Sequence, residues 1–194
     1  HFLFNSLNAG AQLAMMEDAE QTGIFVEKMA DFFRYNVKKG QEDATLGEEL
    51  EAVDNYIYIL NVRFAGDIHF SKDVDESLEN VRVPSMILQP IVENAVNHGI
   101  RDIEWEGKIH LTVTGDADYI RISVKDNGKG MTPEQIEGVL SGNKEYRKEE
   151  GDSTGIGMNN VISRLELYYE EKGLVEIRSD GLDKGTEVIV YIPV

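Results

Sequence analysis

The sequence contains no cysteine and few basic residues, and both shortages exclude functions. Without cysteine there is no disulfide, no cysteine nucleophile and no cysteine metal site. Nineteen lysines and arginines against 36 acidic residues leave a net charge of −17. This charge argues against binding to nucleic acid or anionic lipid, because phosphate binding requires clustered basic side chains. No apolar run approaches the roughly 20 residues that span a bilayer, so we expect no membrane contact by this segment itself.

The length and apolar content are those of a folded chain of one or two domains. The sequence has 194 residues, of which 41% are hydrophobic and 28% are charged. These proportions are ordinary for globular proteins and sufficient for a buried core. The sequence begins with His1 rather than methionine, so we expect a fragment of a longer protein, with any signal or membrane segment upstream.

Apolar spacing in the first third of the chain predicts helices. Thr45 followed by Glu48 forms a capping box at the start of one of them, and a second helix is expected over about 22–39. Asn8 and Gln12 belong to a polar stripe on an opening helix that also includes His1 and Asn5, although a solvated helix surface explains that stripe equally. The seam of the capped helix has the spacing of a helix that packs on another helix and consists of Leu46, Leu50, Val53, Ile57, Leu60 and Phe64.

After Phe64 the pattern changes to alternating strands and short helices. A helix is expected from Pro84 or Ser85 to about His98, and others begin at Thr132 and near Gly157. The polar stretch 141–153 is expected to be a mobile loop. The second part is predicted to be an α+β sandwich, one mixed sheet covered by helices on one face. Its strands are expected at 68–74, 109–113, 120–124, 175–179 and 186–192.

Residues 89–99 place polar groups on a helix that is otherwise apolar. Glu93, Asn94, Asn97 and His98 share one face of this helix. Polar residues on a buried helix need partners, and an asparagine amide oxygen is a suitable neutral ligand for Mg²⁺ beside phosphates. Taken alone, the pattern is better explained by a helix edge exposed to water.

Two glycine-containing segments are further candidates for binding. Asp126 directly follows a predicted strand and can accept a hydrogen bond from an exocyclic amine, while Gly128 and Gly130 let the backbone approach a flat ring. Residues 154–158 open a predicted helix whose backbone N–H groups form an anion site suited to phosphates. An ordinary Asp-Asn-Gly turn and a flexible helix start explain the two segments equally well.

In their order along the chain, these segments resemble the ATP-binding domain of the GHKL type. Histidine kinases share that domain with DNA gyrase, mismatch-repair proteins and heat-shock chaperones of that fold. The order comprises an asparagine-bearing helix, an aspartate-glycine loop, a loop of lid length, a glycine-rich helix start and a glycine-threonine pair in the last strand. The matching residues are Asn94 in the N box, Asp126, Gly128 and Gly130 in the G1 box, and Gly155 and Gly157 in the G2 box.

The resemblance implies ATP and Mg²⁺ as cofactors. It implies that Asn94 binds the metal, that Asp126 reads the adenine amino group with the support of Thr186, and that residues 141–154 form a lid over ATP. The nucleotide site that it implies comprises Asn94, Asn97, His98, Asp126, Gly128, Gly130, Met131, Thr154, Gly155, Gly157, Met158 and Thr186.

The front of the chain is similar to sensor histidine kinases of the LytS/YesM-like subgroup. Residues 1–8 resemble its H box, and residues 46–64 resemble its second dimerisation helix. The resemblance implies that His1 accepts the phosphoryl group. It also implies that two chains form a homodimer, with residues 1–66 as the helical dimerisation and phosphotransfer region and 67–194 as the ATP-binding catalytic domain.

The same resemblance implies what surrounds this segment. The partner is the receiver domain of a response regulator, to whose aspartate the phosphoryl group passes, and nucleic acid is not a partner. An upstream sensor domain is missing from the fragment. The fragment is expected to be cytoplasmic, and the full-length protein is expected to be anchored in the bacterial cell membrane.

Two departures from the family pattern affect the expected catalytic residues. Phe2 follows His1 where many histidine kinases carry an acidic general base, so Asn5, one turn on, is expected to hold the imidazole or position a water. Pro90 occupies the place of a second asparagine, and Glu93 is expected to substitute for it. The expected catalytic set is therefore His1, Asn5 and Glu93.

Two other functions remain open on the sequence alone. A GHKL-type ATPase would use water as the acceptor and requires a general-base carboxylate one turn before Asn94, whereas Glu93 lies one position before it. A non-catalytic nucleotide-binding or scaffolding module would require no base at all. For His98, phosphate contact and capping of the helix end fit equally.

Overall fold

A computed structural model describes residues 6, 9, 10, 13, 16, 19–38, 43–64, 66–101, 103–142 and 154–194, with the backbone alone at 19, 38 and 154–156. A 3₁₀ turn covers Glu76–Leu78, and the third helix continues as a π-helical turn, Ala95–Ile100. None of the helices described is long and apolar enough to cross a membrane. The elements are α1 Ala19–Lys38, β1 Asp43–Thr45, α2 Leu46–Arg63, β2 Ile68–Val74, β3 Arg82–Pro84, α3 Leu88–Asn94, β4 Gly107–Gly115, β5 Tyr119–Asp126, α4 Pro133–Ser141, α5 Thr154–Tyr169, β6 Val175–Arg178 and β7 Glu187–Pro193.

The second part of the chain is built on one mixed sheet of five strands. Their order is β2-β4-β5-β7-β6, with β2 parallel to β4 and the other pairs antiparallel. In β4, Ile109, Leu111 and Val113 are buried and alternate with more exposed residues, as the sequence predicts. They join one core with Leu88 of α3 and Leu165 of α5. The predicted α+β sandwich is confirmed.

The other face of the sheet carries polar groups. Glu187 of β7 accepts from Arg121 Nη2 at 2.8 Å and from Ser123 Oγ at 2.6 Å, both on β5. These groups therefore satisfy one another's hydrogen-bonding capacity on this face. The hairpin expected from 175–179 and 186–192 is observed as the antiparallel pair β6 and β7.

Helix α2 is buried by its own chain on several sides. The seam predicted over 46–64 forms one helix, and its apolar residues from Leu46 to Leu60 are buried. Tyr56 stacks on Phe32 of α1 with ring centroids 5.9 Å apart, and α2 also packs on α3 and β2. Part of the seam is therefore covered within one chain, and its pairing with a second chain stays a prediction. The domain boundary between residues 66 and 67 stays a prediction.

Helix α3 begins later than predicted. The sequence predicts a start at Pro84 or Ser85, but Arg82–Pro84 forms β3, which pairs antiparallel with β1. Met86 then adopts a left-handed φ of 60°, so the helix begins only at Leu88. Two strands of three residues are too short to show the alternation by which strands are recognised in a sequence.

Thr45 caps α2 as its sequence predicts, and its removal has a measurable cost. Its Oγ1 accepts from the Glu48 N–H at 3.2 Å, and Glu48 Oε2 accepts from the Thr45 N–H at 2.8 Å. We expect Thr45→Ala to lower the free energy of unfolding by about 1 kcal/mol, because the first turn loses an acceptor. Urea unfolding measures the change. Thr132→Ala removes the equivalent capping box of α4 and serves as the comparison. A loss of unfolding free energy in Thr45→Ala far smaller than that in Thr132→Ala would contradict the capping role of Thr45.

Candidate functional site

The carboxylate of Asp126 lies at the end of β5 and is held by backbone amides. Asp126 is 6% exposed. Its Oδ1 accepts from the N–H of Gly128 at 2.8 Å and of Thr186 at 3.3 Å, and its own N–H donates to the Thr186 carbonyl at 2.9 Å. Thr186 thus supports Asp126 through its backbone. Oδ2 receives no hydrogen bond from the described residues, so one acceptor oxygen is available to a ligand.

Burial raises the pKa of Asp126 to about 6 from an ordinary value of 3.8, although the two amide hydrogen bonds act in the opposite direction. At neutral pH the side chain is therefore ionised and accepts hydrogen bonds only. An ionised carboxylate in a buried position lowers the stability of the fold. The chain keeps this charge where an apolar or amide side chain would be more stable, which is typical of a functional site.

The raised pKa makes the stability cost of Asp126 depend on pH. Between pH 6 and 4 the folded state binds a proton that the unfolded state does not, so this cost, about 3 kcal/mol at pH 7, disappears as the pH falls. We expect Asp126→Asn to be more stable than wild type at pH 7 and the gap to shrink below about 1 kcal/mol at pH 4. Urea unfolding of both proteins across this range measures the gap. A gap that does not change with pH would contradict the shifted pKa.

Three glycines form a cradle around this carboxylate: Gly99, Gly128 and Gly185. A Cβ added at Gly99 would lie 2.8 Å from Asp126 Oδ1, one at Gly128 would lie 2.0 Å from the Gly99 carbonyl oxygen, and one at Gly185 would lie 2.1 Å from the Asp126 carbonyl oxygen. No side chain fits at such distances without moving the backbone. The sequence indicated Gly128, but it gave no sign that Gly99 and Gly185 approach Asp126.

The π-helical turn after α3 brings Gly99 into this cradle. A π turn inserts an extra residue into a helix and is common at functional sites. The Gly99 carbonyl accepts from the Lys129 N–H at 3.0 Å, and the Gly128 carbonyl accepts from the Gly185 N–H at 3.0 Å. Backbone hydrogen bonds therefore fasten three separate segments to one another: the end of the α3 helix, the loop after β5 and the loop before β7.

Gly130 and Met131 fasten the loop after β5 to the final hairpin. Gly130 has a left-handed φ of 66°, and a Cβ there would lie 2.0 Å from the Gly181 carbonyl oxygen. The Met131 N–H donates to Ser179 Oγ at 2.9 Å, and that hydroxyl donates to the Gly185 carbonyl at 2.7 Å. The Met131 side chain packs partly buried against the core. Contact of either residue with a ligand stays a prediction.

Asn94 and Glu93 are adjacent on α3 but have different surroundings. Asn94 is half-buried, and its buried Nδ2 makes no hydrogen bond to a described residue. Glu93 Oε1 accepts from Gln89 Nε2 at 2.7 Å. Burial, and to a smaller extent the charge of Glu93, raises the pKa of Tyr56 on α2. Burial also raises the pKa of Glu93. The described contacts of Glu93 lie with its own helix and α2 rather than with Asp126, so its catalytic role stays a prediction.

The glycine-rich start of α5 lies beside α3. Helix α5 begins at Thr154, earlier than the predicted start near Gly157. A Cβ added at Gly157 would lie 3.9 Å from Pro90 Cβ, an ordinary contact, so the first turns of α5 run next to the middle of α3. Met158 is buried in the core. Thr154 and Gly155 are described by their backbone alone.

Several predicted site residues lie at the edge of the described structure or outside it. Asn97 is exposed and His98 is half-buried, both in the π turn, and their contact with phosphate stays a prediction. His1 and Asn5 lie outside the described residues, as does most of the predicted lid.

Asn127 has a structural role that its place in a predicted turn did not reveal. Its Oδ1 accepts from the Lys108 N–H at 2.7 Å, and its Nδ2 donates to the Glu106 carbonyl at 2.9 Å. The Asn127 carbonyl accepts from Trp105 Nε1 at 2.8 Å. The loop that begins with Asp126 is thereby tied to the start of β4. An Asn-Gly pair indicates a turn, but these distant partners have no signal in the sequence.

The described residues fit a nucleotide whose metal ion is held mainly by phosphates. Within the described part of the chain, no group of three or more His, Asp or Glu side chains could hold a metal by itself. Mg²⁺ beside phosphates requires only one or two protein oxygens. The amide oxygen of Asn94 offers one, and its Nδ2, which has no partner among the described residues, is available to donate to a phosphate. The cradle supplies Asp126 Oδ2, an acceptor oxygen that receives no hydrogen bond from the described residues.

Two family models match this chain. One described as histidine kinase matches residues 1–68, and one described as histidine kinase-, DNA gyrase B-, and HSP90-like ATPase matches residues 81–194. Similar curated proteins include the sensor histidine kinase YpdA of Escherichia coli, at 36% identity, and the sensor protein LytS of Bacillus subtilis, at 29%. The sensor histidine kinase YesM of Bacillus subtilis is 28% identical. The alignments cover 100% of this chain and 32%, 32% and 31% of these relatives.

Solved structures of histidine kinases have the same fold. The catalytic domain of histidine kinase ThkA matches with a TM-score of 0.55 and 22% identity, over 79% of this chain and 98% of that one. The mycobacterial sensor histidine kinase MprB matches with a TM-score of 0.56 and 17% identity, over 78% and 96%. The resemblance to sensor histidine kinases of the LytS and YesM kind is confirmed.

Proposed function

Because this chain belongs to the histidine kinase-, DNA gyrase B- and HSP90-like ATPase family, we propose that it is the kinase core of a two-component sensor histidine kinase. It uses ATP to phosphorylate His1 and passes the phosphoryl group to an aspartate of a response regulator. The observation that carries the proposal is the buried carboxylate of Asp126, whose Oδ2 lies in the glycine cradle and accepts from none of the described residues. The match of residues 1–68 to the histidine kinase model supports an acceptor region in this part of the chain.

Asp126 selects adenine in this proposal. Its Oδ1 is occupied by two amides, so Oδ2 accepts from the exocyclic amine of the base. A charge-assisted hydrogen bond in a buried site is stronger than a neutral one. The cradle keeps Oδ2 in place, because its backbone is fixed by hydrogen bonds to the π turn and to the loop before β7.

Asn94 and the start of α5 hold the phosphate end of the nucleotide. The Asn94 amide oxygen would hold Mg²⁺, which when bound would offset the negative charge of the phosphate oxygens. The backbone N–H groups at the start of α5 donate hydrogen bonds to phosphate oxygens, since the N-terminus of a helix attracts anions.

The transfer itself makes one bond and breaks one. The unprotonated ring nitrogen of neutral His1 attacks the γ-phosphorus in line, an N–P bond forms, and the P–O bond to ADP breaks. The proton on the other ring nitrogen then leaves to solvent, and Asn5 orients the ring. Glu93, which precedes Asn94 on α3, takes the role of the second asparagine whose place Pro90 occupies. The resulting phosphoramidate is reactive enough to pass its phosphoryl group to a carboxylate of the response regulator.

The chain spans about a third of the length of the curated relatives it matches. The full-length protein is therefore proposed to carry an upstream sensor domain, to act as a homodimer and to be anchored in the bacterial cell membrane with this core in the cytoplasm. The receiver domain of a response regulator is its proposed partner.

The fate of the γ-phosphate tests the proposal. The full-length protein is incubated with Mg²⁺ and ATP labelled at the γ-phosphate, and label is measured on the protein, as free phosphate and on ATP. Label on the protein that moves to a receiver domain supports the kinase. Free phosphate without labelled protein would indicate an ATPase, and bound but intact ATP would indicate a nucleotide-binding module. Either of these results would overturn the proposal.

A further inference from the structure

A buried carboxylate outside the cradle fixes the start of α3. Glu49 of α2 is 1% exposed. It accepts from the backbone N–H groups of Met86 at 2.5 Å, Ile87 at 2.9 Å and Leu88 at 2.8 Å. These amides lie at the N-terminal end of α3, where a helix has no carbonyl partners of its own and where a negative charge is favourable. Glu49 therefore caps the helix that carries Asn94.

Helices α1 and α5 also form hydrogen bonds near the start of α3. Tyr35 of α1 donates its hydroxyl to Glu49, and Arg164 of α5 donates to the Ser85 carbonyl. Met86 lies between them with a left-handed φ of 60°, a conformation that a residue with a side chain keeps only when its surroundings hold it. Helices α1, α2 and α5 thus converge on the segment from which α3 begins.

The hydrogen bonds to Glu49 depend on one another. Burial raises the pKa of Glu49, whereas the Tyr35 hydroxyl and the three amides lower it. An ionised carboxylate in such a place is stable only while its donors remain. Since one donor comes from α1 and three come from the start of α3, a movement of α1 changes how firmly α3 is held.

We propose that Glu49 is a positioning residue for the nucleotide site and that Tyr35 makes its action depend on the docking of α1. The inference rests on the proposed function, because α1 follows the expected acceptor segment and α3 carries Asn94. Docking of α1 then strengthens nucleotide binding. By linkage, a bound nucleotide strengthens the docking of α1 by the same factor.

Hydrogen exchange of the full-length protein, with and without ADP and Mg²⁺, tests this coupling. ADP binds at the adenine site but has no γ-phosphate to transfer. In wild type we expect ADP to slow the exchange of α1 amides by about 10-fold. A factor of this size corresponds to the free energy of one hydrogen bond to a charged group. Tyr35→Phe removes only the hydroxyl and should abolish this slowing. Tyr119→Phe is the matched control, because it removes another tyrosine–glutamate hydrogen bond, 3.0 Å to Glu171, and should leave the slowing intact.

A second variant and a double variant separate positioning from simple loss of stability. Glu49→Gln keeps an acceptor oxygen but places a donor against the amides at 86–88, so it should weaken ADP binding as well as abolish the slowing in α1. If the two residues act through one link, Tyr35→Phe combined with Glu49→Gln lowers ADP affinity no further than Glu49→Gln alone. Additive losses would overturn the link.

The remaining outcomes are also decisive. The inference is overturned if ADP leaves the exchange of α1 amides unchanged in wild type. It is also overturned if Tyr119→Phe loses the slowing of α1 exchange as fully as Tyr35→Phe does. If no nucleotide binds, the proposed function fails, and the ligand-free proteins decide the inference alone. Faster exchange of the amides at 86–88 in Tyr35→Phe than in Tyr119→Phe then supports the link, and equal rates overturn it.

Discussion

Asp126→Asn loses about 100-fold in affinity for adenine nucleotides while the chain keeps its fold. The asparagine oxygen can still accept from the amides of Gly128 and Thr186, which now hold Asp126 Oδ1, so the cradle remains closed. Its NH₂ group then replaces Oδ2 and faces the amino group of adenine with a donor. Loss of a charge-assisted hydrogen bond that leaves donors unpaired amounts to about 2–3 kcal/mol, or roughly 100-fold in affinity.

Trp105 offers a direct readout of this change. It is the one tryptophan of the sequence, and its ring nitrogen bonds the carbonyl of Asn127, next to Asp126. Quenching or enhancement of its fluorescence on addition of ADP gives the dissociation constant. Asp116→Asn is the matched control, since Asp116 also accepts from two backbone amides, at 2.9 Å each, in the turn between β4 and β5.

The same variant predicts a change of base preference. A 6-oxo purine carries an acceptor where adenine carries a donor, so Asp126→Asn should bind the diphosphate of such a base better than ADP, whereas wild type prefers ADP. Equal affinity of wild type and Asp126→Asn for ADP, or an equal loss in Asp116→Asn, would contradict the assignment of Asp126.

Gly128→Ala destabilises the chain by about 3 kcal/mol or more and removes nucleotide binding with it. The added Cβ would lie 2.0 Å from the Gly99 carbonyl oxygen, which itself accepts from Lys129. Neither backbone segment can move away without breaking hydrogen bonds of the cradle, and overpacking of this kind costs several kcal/mol. Urea unfolding measures the loss, and ADP titration of the folded fraction measures the binding.

Other glycines of the chain serve as controls for this loss. Gly23 of α1 has nothing within 4 Å of an added Cβ, so Gly23→Ala should be neutral or stabilising by up to about 1 kcal/mol. Gly185 and Gly173 have nearly equal positive φ values, 76° and 78°, but only a Cβ at Gly185 meets the backbone. Gly185→Ala should therefore cost clearly more than Gly173→Ala. Equal losses of stability in these two variants would show that strain at a positive φ, rather than contact with the backbone of the cradle, causes the loss.

Features with a local physical cause could be predicted from the sequence. The seam of α2 and its capping box are fixed by residues three and four positions apart, and the strands β4 and β5 are fixed by alternation. Asp126 could be predicted only through the order of the segments and the family resemblance, because its own loop is equally typical of an ordinary Asp-Asn-Gly turn. The order of these segments carried the family resemblance, and the matches to histidine kinases confirm that resemblance.

Features that depend on distant partners could not be predicted. The start of α3 is set by Glu49, far earlier in the chain, and β3 exists only because β1 pairs with it. The π turn is required by the approach of Gly99 to Asp126, and no helix pattern encodes such an approach. The seam of α2 was predicted as a contact between helices, but apolar spacing does not say whether the partner helix belongs to the same chain.

Mapping of phosphate on the full-length protein after incubation with Mg²⁺ and ATP decides whether His1 is the acceptor. We expect an acid-labile, base-stable phosphate on His1, absent from His1→Gln and strongly reduced in Asp126→Asn, but present in Asp116→Asn. Phosphate at the wild-type level in His1→Gln, or undiminished phosphate in Asp126→Asn, would contradict this expectation.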